Sequence, residues 1–136
     1  MTQGNVADLS GYYETIMSNG HLLKLSIAEA WSEAVLRTLA LNLDRQTKNK
    51  LAGALPDTLG SQLKRAFWLL HFRNKTQTAR EFLNQVARRS GNSDTDFARL
   101  PTQAVFHELK TFAGEVIAAD VADTLSPEVS ELWQQA

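Results

Sequence analysis

The feature that most constrains this chain is its match to itself. Shifted by 70 residues, the sequence aligns with its own second half without a gap. Tyr12 falls on Phe82, Tyr13 on Leu83, Ile16 on Val86 and Ile27 on Phe97. Ala34, Val35 and Leu39 fall on Ala104, Val105 and Leu109. Further along, Leu51, Ala52, Leu55, Leu59 and Leu63 meet Val121, Ala122, Leu125, Val129 and Trp133. Only about five of these pairs are identical, so the match lives in the apolar positions. Two unrelated helical halves sharing a 3.6-residue rhythm would give part of it. What favours a duplicated unit is that the helix punctuation coincides as well.

That punctuation recurs along the chain. Ser26-Ile27-Ala28-Glu29 reads as a capping box, its serine capping a free amide and its glutamate reaching back. Its mate in the repeat is Asp96, another favourable N-cap type. Asp44 precedes the segment 45–55, and Gly114 stands at the equivalent place before 115–125. Leu55-Pro56-Asp57 ends one helix and opens the next, and Ser126-Pro127-Glu128 does so again. Thr78-Ala79-Arg80-Glu81 is a second capping box. Pro101, about one turn past Asp96, leaves two starts open: a helix from Thr102, or a short turn over 96–100 first.

Between these signals the apolar spacing is helical, as in Trp31, Ala34, Val35, Leu39 and Leu43, or Val105, Phe106, Leu109, Phe112 and Ala113. No alternating β-branched run and no Asn-Gly or Asp-Gly turn offers a hairpin. The expected fold is all-α: a single compact helical domain of about eight helices over 1–136. Its related halves run approximately 8–72 and 78–136, joined by a short basic connector over 73–77.

A chain of 136 residues, 43% of them hydrophobic, can bury a core without staples. It has no cysteine, which removes disulfides, thiolate zinc sites, iron–sulfur clusters and a cysteine nucleophile together. No run approaches 18 apolar residues, and Met1 to Ser10 lacks the basic and apolar regions of a secretory signal. The expectation is a cytoplasmic protein without a membrane partner.

These motifs resemble the bacterial family known as domain of unknown function 2267. The residues that carry the resemblance are Leu55-Pro56, Phe67-Trp68, the polar and basic segment His71 to Lys75, Arg80-Glu81-Phe82-Leu83, and Val121 to Leu125. It covers about Tyr12 to Trp133. The resemblance implies a cytoplasmic all-α domain with no established activity, and it supplies no functional residue.

Chemistry has few footholds. His21, His71 and His107 show no metal-ligand spacing, and His107 falls on Arg37 in the repeat, a solvent-facing helix position. Asn92-Ser93-Asp94-Thr95-Asp96 suggests a calcium loop, but the places that need glycine and glutamate hold Phe97 and Gln103. It reads better as a polar turn ending in an Asp96 cap. The glycines form no phosphate loop. Trp133 reads as the residue that closes the core, with a partner-binding anchor as its alternative. No catalytic residue, cofactor or metal is expected.

Charge is more telling. Residues 1–43 carry −2, residues 44–90 carry +7 and residues 91–136 carry −6, inside a total of −1. Lys64, Arg65, Arg73, Lys75, Arg80, Arg88 and Arg89 surround the aromatic stretch Phe67, Trp68, His71 and Phe72. These basic residues are the candidate partner- or anion-binding set. On the bland reading the aromatics are core and the cations pair with the acidic end. The expected function is non-catalytic protein association, a homodimer among the candidates. A weak RNA-, DNA- or anion-binding domain using the same middle segment is the alternative.

Overall fold

The structure, a computed structural model, describes residues 3–65, 76–92 and 94–136, with side chains from Leu9 onward. Every regular element among them is helical. The order is α1 (Gln3–Asn19), α2 (Leu25–Leu41), α3 (Arg45–Ala54), α4 (Asp57–Arg65), α5 (Ala79–Ser90), a 3-10 turn (Asp96–Ala98), α6 (Arg99–Thr124) and α7 (Pro127–Gln135). Seven α-helices and one short turn therefore stand where about eight helices were expected. The expected aromatic helix at Phe67-Trp68, and His71, Phe72, Arg73 and Lys75, lie outside the described residues.

The helix α2 is central because its sequence is apolar on more than one side. Ala28, Trp31, Ala34, Val35, Leu36, Leu39 and Ala40 are all buried, which requires neighbours around much of its circumference. Those neighbours are α1, α4, α5 and α6. Buried polar side chains on α2 are hydrogen-bonded, as burial demands. Ser32 Oγ pairs with the Tyr12 hydroxyl at 2.7 Å, and Thr38 Oγ1 donates to the Ala34 carbonyl at 2.8 Å. Burial pushes the Tyr12 phenol well above its ordinary range, so it stays neutral.

Many aligned positions share their burial, while Ile27 with Phe97, Tyr13 with Leu83 and Ala52 with Ala122 do not. Tyr12 and Phe82, Ile16 and Val86, Val35 and Val105, Leu39 and Leu109, Leu55 and Leu125, Leu59 and Val129, and Leu63 and Trp133 are all core residues. Asn19 and Arg89 mark the same place near the ends of α1 and α5, and α4 and α7 occupy the same register.

The caps divide. Asp44 accepts from Thr47 N at 2.7 Å, as expected of an N-cap. Thr78 and Glu81 form the full capping box: Glu81 N donates to Thr78 Oγ1 at 3.0 Å and Thr78 N to Glu81 Oε1 at 2.9 Å. Replacing Thr78 with alanine is expected to lower stability by about 1 kcal/mol in urea unfolding. A change within error would mean that the adjoining Ala79 N–Glu128 bond holds this end alone.

Three expected caps are corrected. The N-cap of α2 is Lys24, not Ser26; Ser26 sits exposed inside the first turn, since Ile27 N and Ala28 N already donate to the Lys24 carbonyl. The N-cap of the 3-10 turn is Thr95, not Asp96, and it is Asp94, one residue earlier, whose carboxylate accepts from Asp96 N at 3.0 Å. This short turn resolves the Pro101 ambiguity, because α6 starts at Arg99 with the proline in its first turn, where no N–H is needed. Ser126 stands at the start of α7, but its hydroxyl donates across to the Gln77 carbonyl at 2.7 Å.

Gly114 behaves as the boundary its repeat position implies. Its φ of 82° and ψ of 169° break α6 into two helical stretches, a conformation suited only to glycine. The segment after it aligns with α3 in the repeat register and packs against it through Thr47–Thr124 and Lys50–Asp120.

Candidate functional site

Two surface regions stand apart from the core. The first is an apolar end made by the turn between α1 and α2 and by the start of α6. The turn closes through Gly20 N to the Ile16 carbonyl and Leu22 N to the Met17 carbonyl, with His21 in the left-handed region at φ 57°. It rests on α6: a Cβ placed on Gly20 would stand 3.3 Å from Pro101 Cα. The 3-10 turn joins the same end, its Phe97 ring lying 5.9 Å from Trp31. Leu23 is 89% exposed, Leu100 47% and Phe97 42%. These large apolar side chains stand partly or wholly in water on elements that adjoin at Gly20 and Pro101.

The second region is basic. Lys64 and Arg65 are exposed at the end of α4, where they line a hollow of about 540 Å³ with Gly53, Asp57 and Ser61. Arg80, at the opposite end of α5 from Arg88 and Arg89, bonds Asp96 at 3.3 Å. Arg88 and Arg89 line a hollow of about 300 Å³ with Gln85. The described members of the candidate set thus sit at separate stations, while Arg73 and Lys75 lie outside the described residues. Lys50–Asp120 at 3.2 Å and Arg80–Asp96 both join the +7 middle to the −6 end, so part of the charge segregation is structural. Both pairs are exposed and contribute little energy.

Sequence reasoning missed Arg37 and Thr38 on α2. Arg89 Nη1 donates to Thr38 Oγ1 at 3.0 Å, although 51 residues separate them. Partial burial and the nearby Arg37 charge both depress the Arg89 pKa, burial more than Arg37. Only the packing of α5 on α2 brings these residues together. The apolar end was missed for a different reason: Leu23, Phe97 and Leu100 fit helical and turn patterns without revealing which face is open.

The remaining candidates settle into structural places. His107 is exposed on α6 as expected, lining a hollow with Asn19 and Leu100. Trp133 is 1% exposed and closes the core. Among the described residues, no three His, Cys, Asp or Glu side chains converge as a metal set, and no helix is long and apolar enough to cross a membrane.

Fold and surface together define an all-α domain in which α2 packs against α1, α4, α5 and α6 and the distinctive chemistry is on the outside. The chain belongs to the family described as "Uncharacterized conserved protein (DUF2267)", whose model matches residues 10–132. Comparison with curated proteins finds no match.

Proposed function

We propose that this chain is a non-catalytic association module that pairs with a second copy of itself through the apolar end. The observation that carries this reading is the exposure of Leu23, Phe97 and Leu100 on three neighbouring elements, the α1–α2 turn, the 3-10 turn and α6. Burying Leu23, which is almost wholly exposed, is worth about 1.5–3 kcal/mol, and the half-buried Leu100 and Phe97 add less. The rim supports a self-complementary contact: exposed Lys24 and Arg99 stand beside Leu23 and Leu100, and exposed Asp94 and Asp96 precede Phe97. A patch with both signs at its edge can meet its own two-fold copy, as isologous pairs do. The ion pairs already made by Lys50 and Arg80 weaken the basic field that nucleic-acid backbones require.

Sedimentation velocity over a concentration series tests this reading. Wild-type protein is expected to pass from monomer to dimer. The Leu23→Asp, Leu100→Asp double variant should weaken that association by roughly tenfold or more, since the two together lose over about 1.4 kcal/mol of apolar burial. Far-UV circular dichroism should not change, because Leu23 is in water, Leu100 is about half exposed and neither belongs to the buried core. A wild-type chain that stays monomeric at every concentration overturns the proposal.

A further inference from the structure

We infer that Arg37, Arg88 and Arg89 form a binding site for a phosphate group, held where α5 crosses α2. The site is separate from the apolar end and does not depend on pairing.

Its anchor is Arg89. One guanidinium N–H is fixed on Thr38 Oγ1 at 3.0 Å, and Thr38 is fully buried with its own proton given to the Ala34 carbonyl. A neutral hydroxyl therefore holds the guanidinium in place without neutralising it. A guanidinium has five N–H donors in a rigid fork, so this tether leaves others for a ligand. Arg88, exposed, shares the hollow of about 300 Å³ with Arg89 and Gln85, whose amide adds a neutral donor. Arg37 precedes Thr38 on α2, the residue that Arg89 bonds, and its charge bears on Arg89 from there.

The charge is unbalanced. Glu33 pairs with Arg37 at 3.3 Å, and among the described residues no carboxylate is within ion-pair reach of Arg88 or Arg89. Three guanidiniums against one carboxylate leave two positive charges side by side. A phosphate group carries about −1.5 to −2 charges near neutrality and three strong acceptor oxygens, which answers both the charge and the forked donors.

Packing does not explain the cluster. At the offset of 70, Arg37, Arg88 and Arg89 correspond to His107, Ser18 and Asn19. Two of these, His107 and Asn19, line a hollow of their own. The equivalent place is thus built with no arginine, so the arginines are not a requirement of the helix crossing.

The test is an amide and side-chain NMR titration of the full chain with inorganic phosphate and with glycerol 3-phosphate, against chloride at matched ionic strength. Saturable shifts at Gln85, Arg88 and Arg89 with either phosphate form are expected, and the tighter of the two tells whether free or esterified phosphate is the better ligand. Arg88→Gln and Arg89→Gln should each weaken binding roughly tenfold or more, the loss of a charge-assisted hydrogen bond. Arg88→Gln guards against misfolding, because among the described residues the exposed Arg88 side chain has no bonding partner and the substitution keeps the Arg88 carbonyl that accepts from Gly91 N. Lys64→Gln, on α4, should bind as wild type. No saturable shift, retention of binding in both arginine variants, or equal weakening by Lys64→Gln would overturn the site.

Discussion

Replacing Trp133 with alanine is expected to lower the unfolding free energy by about 3–5 kcal/mol, the range for deleting a fully buried aromatic. The indole is 1% exposed and joins α7 to α6. Its ring meets Phe106 of α6 edge-on at 5.0 Å, and Phe106 in turn lies 5.8 Å from Phe82 of α5. The indole N–H donates to the Ala118 carbonyl at 3.0 Å. Lys110 stands over the same ring, its Nζ 6.0 Å from the centroid, and donates to the Trp133 carbonyl at 2.9 Å. Alanine removes the edge contact with Phe106, the bond to the Ala118 carbonyl and the ring beneath Lys110 at once, and leaves a cavity in the core. Since small domains hold only about 5–15 kcal/mol in total, a large share of stability would go. Phenylalanine should fall between the two, keeping the edge contact and losing the indole bond. Urea unfolding measures both, and a loss below about 1 kcal/mol for alanine would show that α7 is not part of the cooperative core.

The repeat register explains why so much of the architecture could be read in advance. Core positions were legible because they recur: Leu39 with Leu109, or Leu59 with Val129, each sits on an apolar stripe whose period demands burial. Caps were legible where one side chain had one available amide, as at Asp44 and Thr78. They failed where the same pattern fits two frames. Ser26 satisfies the capping-box spacing, yet the helix starts earlier because buried Leu22 fixes the turn that precedes it. Asp94 and Asp96 are equally good caps in composition, and only the chain path decides that Asp96 turns outward to Arg80.

The surface was far less legible. Arg88 and Arg89 could be flagged by their charge, but Arg89's partner Thr38 belongs to a buried stripe of another helix. Nothing local in α2 distinguishes a threonine that bonds its own backbone from one that also receives an arginine. Exposure of Leu23 has the same character: an apolar residue in a turn can pack or protrude, and local pattern does not choose.

The second large effect concerns Gly60, where intrinsic preference and packing oppose each other. Gly60 lies inside α4, so exchange for alanine would favour the helix by about 1 kcal/mol on propensity alone. A Cβ at this position, however, would stand 2.6 Å from the Ala52 carbonyl oxygen of α3. Backbone cannot rotate away as a side chain can, so α3 and α4 must separate. The expected outcome is a net loss of about 1–3 kcal/mol, the usual cost of overpacking. Gly53, on α3, supplies the contrast: nothing lies within 4 Å of its Cβ position, and alanine there should stabilise by about 0.5–1 kcal/mol. Opposite signs from the same substitution in two adjacent helices, read by chemical denaturation, would establish close approach as the cause. If Gly60→Ala also stabilises, the helices have room to part. The repeat suggests that they do not. At the equivalent place α7 carries buried Ser130 instead of glycine, and its inward-facing residue is Trp133 where α4 has Leu63. A side chain at the crossing goes with a larger one to fill the space beneath it; glycine at the crossing goes with a smaller one. Gly60 and Leu63 are therefore one packing choice, and changing the first without the second leaves the pair mismatched.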